Sequence, residues 1–436
     1  MTDGSKRAMI LSAPLTHSDW MIHADAPDWG PEGVRTMLDH CRACGWSRIY
    51  WRVFDAGMAL YASRLLEPMK YATSPQPNCL TTGELASQAP PDLVARAMKL
   101  DYHGFDTLAA AVRIGHELGL EIHAWLSINE DDHGWGWPSR FTQAHPECRW
   151  VRRDGRAYHS QLSFGFPEVR EYKLDLIREM LAYEVDGIFL DWIRTGDIRD
   201  NPRNDPQGVA NYGYEAPLVE SFRSRYGLDP HEVENGDERW VRCRAEPITD
   251  FMRTVRNALD QHPRRIVLAG MVHHCWAYRG LQEEGFIDGA LRGVLCDIRT
   301  WAREGLVDEL VVGGYYMKDG TPESGYRWLE EETEGRVALW LYGWVPESTE
   351  DFERDLTLAR RLGARQLLFW EADYIDMRPE PQREQIMTDA GINLLRMKKL
   401  EELLGGALPR LCVKEPVCRT VSSPDKKGNT MEPIEH

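Results

Sequence analysis

The 436-residue sequence has no apolar run long enough to cross a bilayer. Its opening stretch, MTDGSKRAMILSAP, lacks the apolar core of an export signal. The expectation is a soluble, cytoplasmic protein with no membrane partner. Positive charge is in deficit: 52 Lys and Arg stand against 69 Asp and Glu, a formal net charge of −17. Nucleic acids and anionic surfaces demand a basic face, so nucleic acid is not expected as a partner. A disulfide framework is also missing. The nine cysteines are odd in number and scattered, in a chain large enough to bury its own core. Cys41 and Cys44 form a CxxC, but inside a helical pattern and without a second pair. No GxGxxG turn follows a strand, and no HExxH occurs. Neither a cofactor nor a resident metal is expected, and the oligomeric state is left open.

Aromatic residues are abundant instead, with 16 Trp and 16 Tyr. Flat rings with a polar edge suit the faces of sugars, and equally suit a large core. One phrase recurs along the chain: an amphipathic helix, a glycine, then an apolar strand. It reads HCRACG-WSRIYWRV, GHELG-LEIHAWLSI, WAREG-LVDELVVG, EETEG-RVALWLYG and ARRLG-ARQLLFWE. Each glycine stands where a helix C-terminus favours a left-handed residue. RAMILSAP, DGIFLDW and RRIVLAGM supply three more strands in the same rhythm. Eight strands alternating with helical patterns predict a parallel sheet closed into a (β/α)8 TIM barrel, within α/β. A doubly wound open sheet is the competitor, but it lacks its phosphate turn here. The barrel is expected over residues 1–410, with 411–436 a polar, loosely held tail.

Loop lengths indicate which end of that barrel works. Helix-to-strand connections are short throughout, whereas residues 57–104, 130–166 and 194–246 form long strand-to-helix connections. Those leave the carboxyl ends of the strands, where barrel enzymes keep their sites.

Asp191 ends the fourth strand, DGIFLD. Period-two alternation puts Gly187, Phe189 and Asp191 on one face and Ile188 and Leu190 on the other. The aliphatic pair suits the helices, so Asp191 is expected to face the barrel mouth; a helix cap or an ion pair with Arg194 is the plainer alternative. The third strand alternates likewise, with His123, Trp125, Ser127 and Asn129 on one face, followed by Glu130. Glu371 ends the eighth strand, with Asp373 just beyond. His273 and His274 end the fifth. Tyr315, and further on Asp319, follow the sixth, and Trp344 ends the seventh. Trp135, Trp137 and Trp150 lie in the second long loop, either as a sugar-stacking platform or as a small core under the loop.

Two carboxylates beside aromatic rings are what glycoside hydrolysis needs: one protonates the leaving oxygen, the other attacks or activates water. Asp191 and Glu371 are the expected catalytic pair. Asn129, Trp125, Glu130, Arg194, His273, His274, Tyr315, Asp319, Trp344, Trp135 and Trp137 are the expected contacts to a carbohydrate substrate. Rival readings are a sugar-binding barrel without catalysis and a metal-dependent hydrolase or lyase using His273 or His274.

The stretch FPEVREYKLDLIREMLAYEVDGIFLDWIR resembles the family-10-like glycosyl hydrolases, in which a PEVR helix runs into a strand of the form Tyr-x-Val-Asp-Gly-Ile-x-x-Asp. ITDFMRTVRNAL and DIRTWAREGLVDELVVGGYY continue the likeness, which spans residues 141–374. It implies a TIM-barrel glycosidase. DGIFLDW is also similar to the fourth strand of the alpha-amylase barrels, and that match implies a nucleophile role for Asp191. The chain departs from both patterns: Asp191-Trp192-Ile193-Arg194-Thr195-Gly196 stands where family members commonly read Asp-x-x-Arg-Tyr-Pro, Phe189 stands where the amylases carry arginine, and no Glu closes the fifth strand.

Overall fold

A computed structural model of the chain describes residues 10–15, 29–43, 45–55, 57–69, 95, 99–129, 131, 139–191, 193, 213–272, 295–312, 323–344, 349–364 and 366–370. The eight expected strands are all present: β1 (Ile10–Leu15), β2 (Arg48–Asp55), β4 (Glu121–Ser127), β7 (Gly187–Asp191), β8 (Val267–Val272), β9 (Glu309–Val312), β10 (Ala338–Trp344) and β11 (Gln366–Trp370). They pair in parallel in chain order, and β1 pairs with both β11 and β2, so the ring closes. Closure excludes the open doubly wound sheet. A two-residue strand, β3 (Met58–Ala59), folds back antiparallel on the end of β2.

Helices α1 (Pro31–Ala43), α2 (Thr107–Leu118), α4 (Pro167–Leu181), α7 (Ile298–Glu304), α8 (Glu323–Glu332) and α9 (Thr349–Leu362) occupy the expected segments between strands. The repeated glycines carry the turn. Gly45, Gly119, Gly305, Gly335 and Gly363 all take positive φ, between 64° and 84°. At Gly119 the amides of Gly119 and Leu120 return to the carbonyls of His116 and Gly115, satisfying the last helical acceptors before β4 begins.

Helix α6 (Glu238–Asp260) differs from expectation. Its sequence pattern begins at Pro247, yet the helix starts nine residues earlier and carries Pro247 inside it. A proline there removes one hydrogen bond and crowds the preceding turn, a cost of roughly 3 kcal/mol. Trp240, Val241 and Cys243 offset it, because they lie on the same buried stripe as Ile248, Phe251, Met252 and Val255. Each such side chain contributes about 1.5–3 kcal/mol on full burial.

The long connections contain structure that the sequence pattern did not announce. Helix α3 (Arg140–Ala144) and an antiparallel hairpin of β5 (Arg149–Val151) and β6 (Ala157–Leu162) follow β4; α5 (Ala216–Tyr226) lies between β7 and α6. Trp150, in the hairpin, is 1% exposed, so it belongs to a loop core and not to a stacking platform.

Candidate active site at the barrel mouth

Contacts across the ring identify the inward face of each strand. Tyr50 of β2 stacks on Phe189 of β7 at 4.3 Å and meets Trp340 of β10 edge-on at 6.3 Å, although β2 pairs with neither strand. The register then carries the same face upward: Tyr50 is opposite His123, Arg52 opposite Trp125, Trp125 opposite Phe189, and Ser127 opposite Asp191.

The floor of the barrel is ionic. Arg48, 4% exposed, donates to Glu121 at 2.7 Å and across the lumen to Glu309 at 2.5 Å. It also lies over the Trp340 ring, whose Nε1 donates to Glu309 at 2.7 Å. His123 is fully buried above this group, and its pKa is pushed down first by burial and then by the Arg48 charge. Gly187 faces it at close quarters: a Cβ there would lie 2.2 Å from His123 Nδ1.

Asp191 stands at the other end of this inward column. Its carboxylate Oδ2 accepts from Trp125 Nε1 at 3.0 Å, and its carbonyl accepts from the Ile128 amide at 2.9 Å. Trp125 is held in turn by Arg52, whose guanidinium lies 4.7 Å from the ring centroid and donates to Ser127 at 3.3 Å. Such a stacked guanidinium is worth about 0.5–2 kcal/mol. One carboxylate oxygen therefore has a fixed donor, and the donor has a fixed ring plane.

A second group anchors the loop leaving β4. Asp131 and Lys173, 1% and 0% exposed on their side chains, pair at 2.8 Å. The hydroxyls of Ser139 and Thr142 donate to the same carboxylate, and Lys173 lies between the Phe54 and Tyr172 rings at 4.6 and 4.8 Å. The pair joins this loop to helix α4, two residues beyond Asn129. Further along, Glu215 starts α5 and reaches back to the hairpin, accepting from the Ser163 hydroxyl and from the Val151 amide at 3.3 Å. Burial pushes its carboxyl up to about 7.

The sequence matches the family described as "Glycosyl hydrolase-like 10" over residues 92–338, more than half of the chain. The chain belongs to that family. The matched region contains β4, β7, β8 and β9, and with them Trp125 and Asp191. Two solved structures have the same fold. The catalytic domain of the beta-amylase from Paenibacillus polymyxa is 11% identical with a TM-score of 0.53, over 90% of this chain and 99% of that one. The beta-galactosidase from Marinomonas ef1 is 12% identical with a TM-score of 0.50, over 91% of this chain; this chain spans 62% of its length. No curated protein matches the sequence significantly. At such identities the likeness establishes the TIM-barrel architecture of these glycosidases and nothing finer.

Within this glycosyl hydrolase-like barrel, the structure brings together Asp191, Trp125 and Ser127 as the alternation implies. Trp125 and Asn129, expected as substrate contacts, are 6% and 0% exposed. Trp125 is covered by Arg52 on one face and spends its N–H on Asp191, which is itself 3% exposed. Glu371, Glu130, Arg194, His273, His274, Tyr315, Asp319, Trp135, Trp137 and the Trp344 side chain lie outside the described residues, as does the tail at 411–436. The sequence reading gave no role to Lys173 or Asp131. The signal was present, because Lys173 occupies the buried stripe of α4 with Val169, Leu176 and Met180. A lysine on an apolar stripe requires an acid beside it.

Proposed function

We propose that this protein hydrolyses a glycosidic bond in an oligosaccharide or glycoconjugate, with Asp191 as one catalytic carboxylate and Glu371 as the general acid/base. The observation that carries the reading is the Asp191 carboxylate, at the carboxyl end of an inward-facing barrel strand, oriented by the Trp125 N–H at 3.0 Å. A glycosyl hydrolase-like family assignment supports the reaction class. Glu371 follows directly on β11, and β7 and β11 stand four places apart in the eight-membered ring.

In this reading Glu371 protonates the departing sugar oxygen while Asp191 acts on the anomeric carbon side, by direct attack or through an activated water. Strands on opposite sides of the ring favour the wider carboxyl separation of inverting enzymes, roughly 6.5–9.5 Å. Arg194 beyond β7, and residues after the other strands, among them His274 and Tyr315, would contact sugar hydroxyls and rings. The test is a screen of the wild type against aryl glycosides and oligosaccharides, followed by Asp191→Asn on whichever substrate turns over. The expected result is a folded protein with turnover lower by several orders of magnitude. Retention of more than about a tenth of the wild-type rate would remove Asp191 from the chemistry.

A further inference from the structure

We propose that His145, Glu147 and Cys148 form a binding site for a zinc-like divalent cation that staples the loop between β4 and α4. The sequence His-Pro-Glu-Cys places an imidazole, a carboxylate and a thiol within four residues, on a 3-10 turn that leads into β5. One ligand atom from each lies within 4.8 Å of the others, and His145 Nδ1 is already 3.3 Å from a Glu147 oxygen. Zinc bonds of about 2.0–2.3 Å require tetrahedral ligand atoms to stand roughly 3.3–3.8 Å apart. Rotation of the solvent-facing Glu147 and a small shift of His145 therefore close the cage.

The frame around these atoms is fixed. The Cys148 amide donates to the His145 carbonyl at 3.0 Å, the His145 amide to Phe141 at 2.8 Å, and the Ser163 amide to the Cys148 carbonyl at 2.7 Å. The His145 ring packs on Phe141 at 4.7 Å, and Phe141 stacks on Tyr172 at 4.3 Å. Cys148 is buried while His145 and Glu147 face solvent, so an ion would enter from outside and meet the sulfur last. Water from the open side completes four-coordination. A set of nitrogen, oxygen and sulfur donors favours zinc over calcium or magnesium, which take oxygen alone. Binding releases the thiol proton and forms the metal–sulfur bond. The ion would lock the 3-10 turn at the start of β5 and hold the His145 ring against Phe141, which stacks on Tyr172. Its role is structural and independent of the proposed hydrolysis.

The experiment is titration of the metal-stripped full-length protein with cobalt(II). The expected result is one ion per chain with a thiolate-to-cobalt absorption band, displaced by zinc, absent in Cys148→Ser and weakened at least about tenfold in affinity in His145→Ala. Zinc should raise the melting temperature of the wild type more than that of His145→Ala. Absence of the band in the wild type would overturn the proposal. So would an unchanged band and affinity in His145→Ala, which would mark an adventitious ion only. His145 is half-exposed, so that variant decides the matter even where Cys148→Ser fails to fold.

Discussion

The indole N–H of Trp125 reaches across from β4 to the carboxylate of Asp191 on β7 at 3.0 Å, and the two residues sit on strands paired in parallel register. This contact fixes one oxygen of the proposed catalytic acid without using a charged partner. Trp125→Phe should keep the ring over which Arg52 lies and remove only the donor. A hydrogen bond to a charged group is worth about 1.5–3 kcal/mol, so the expected loss in kcat is roughly tenfold to a hundredfold. Steady-state kinetics on a substrate of the wild type, with circular dichroism to confirm the fold, checks it; an unchanged kcat would mean that the contact does not serve turnover.

Lys173→Met should be among the most damaging substitutions in the described structure. It leaves the Asp131 carboxylate buried without its cation, a loss of about 3–5 kcal/mol. The double variant Asp131→Asn with Lys173→Met removes the stranded charge and should recover part of that loss. Urea unfolding of the single and double variants measures the difference. Equal destabilisation in both would show that packing, not charge, dominates at this site.

Glu215 gives stability a dependence on pH. Its folded carboxyl titrates at about 7, above its usual 4.5, because it is 2% exposed. A raised acid binds its proton more tightly in the folded state. Its contribution is therefore fully present below about pH 4.5 and is lost as pH rises through 7. That rise corresponds to about 3 kcal/mol as an order of magnitude. Glu215→Gln resembles the protonated form, so its stability should change less than the wild type's between pH 4.5 and 8. Equilibrium unfolding across that range would show parallel curves if Glu215 were not responsible.

Gly187→Ala tests the packing of the barrel interior. The added methyl would enter the ring of His123, which is fully buried and packs edge-on against Tyr50, so the ring or the strand must shift. Overpacking of this kind costs typically about 1–3 kcal/mol. A thermal melt within a degree of the wild type would show that the His123 ring rotates out of the way.

The barrel was legible because two periodicities alternate in the sequence and five glycines mark the transitions between them. Backbone sterics make those glycines nearly obligatory at left-handed helix ends, and all five adopt positive φ. Period-two patterning also put Asp191 with Phe189 and Gly187, because adjacent side chains on a strand point to opposite faces. Helix α6 begins earlier than its pattern from Pro247 indicated because a proline marks a probable helix start in sequence, while burial of Trp240 and Val241 overrides it in the fold. The hairpin of β5 and β6 gave no clear alternation, being only three residues long on one side.

Local sequence thus determined which residues become strands, where helices stop and which side chains of one strand share a face, since each depends on neighbours in the chain. Only the closed ring decided that Arg48 meets Glu309 across 261 positions, that Arg52 lies over Trp125, and that Trp125 turns its N–H to Asp191. Those partners come from different strands, and their meeting depends on ring order and register, neither of which is encoded at any single position.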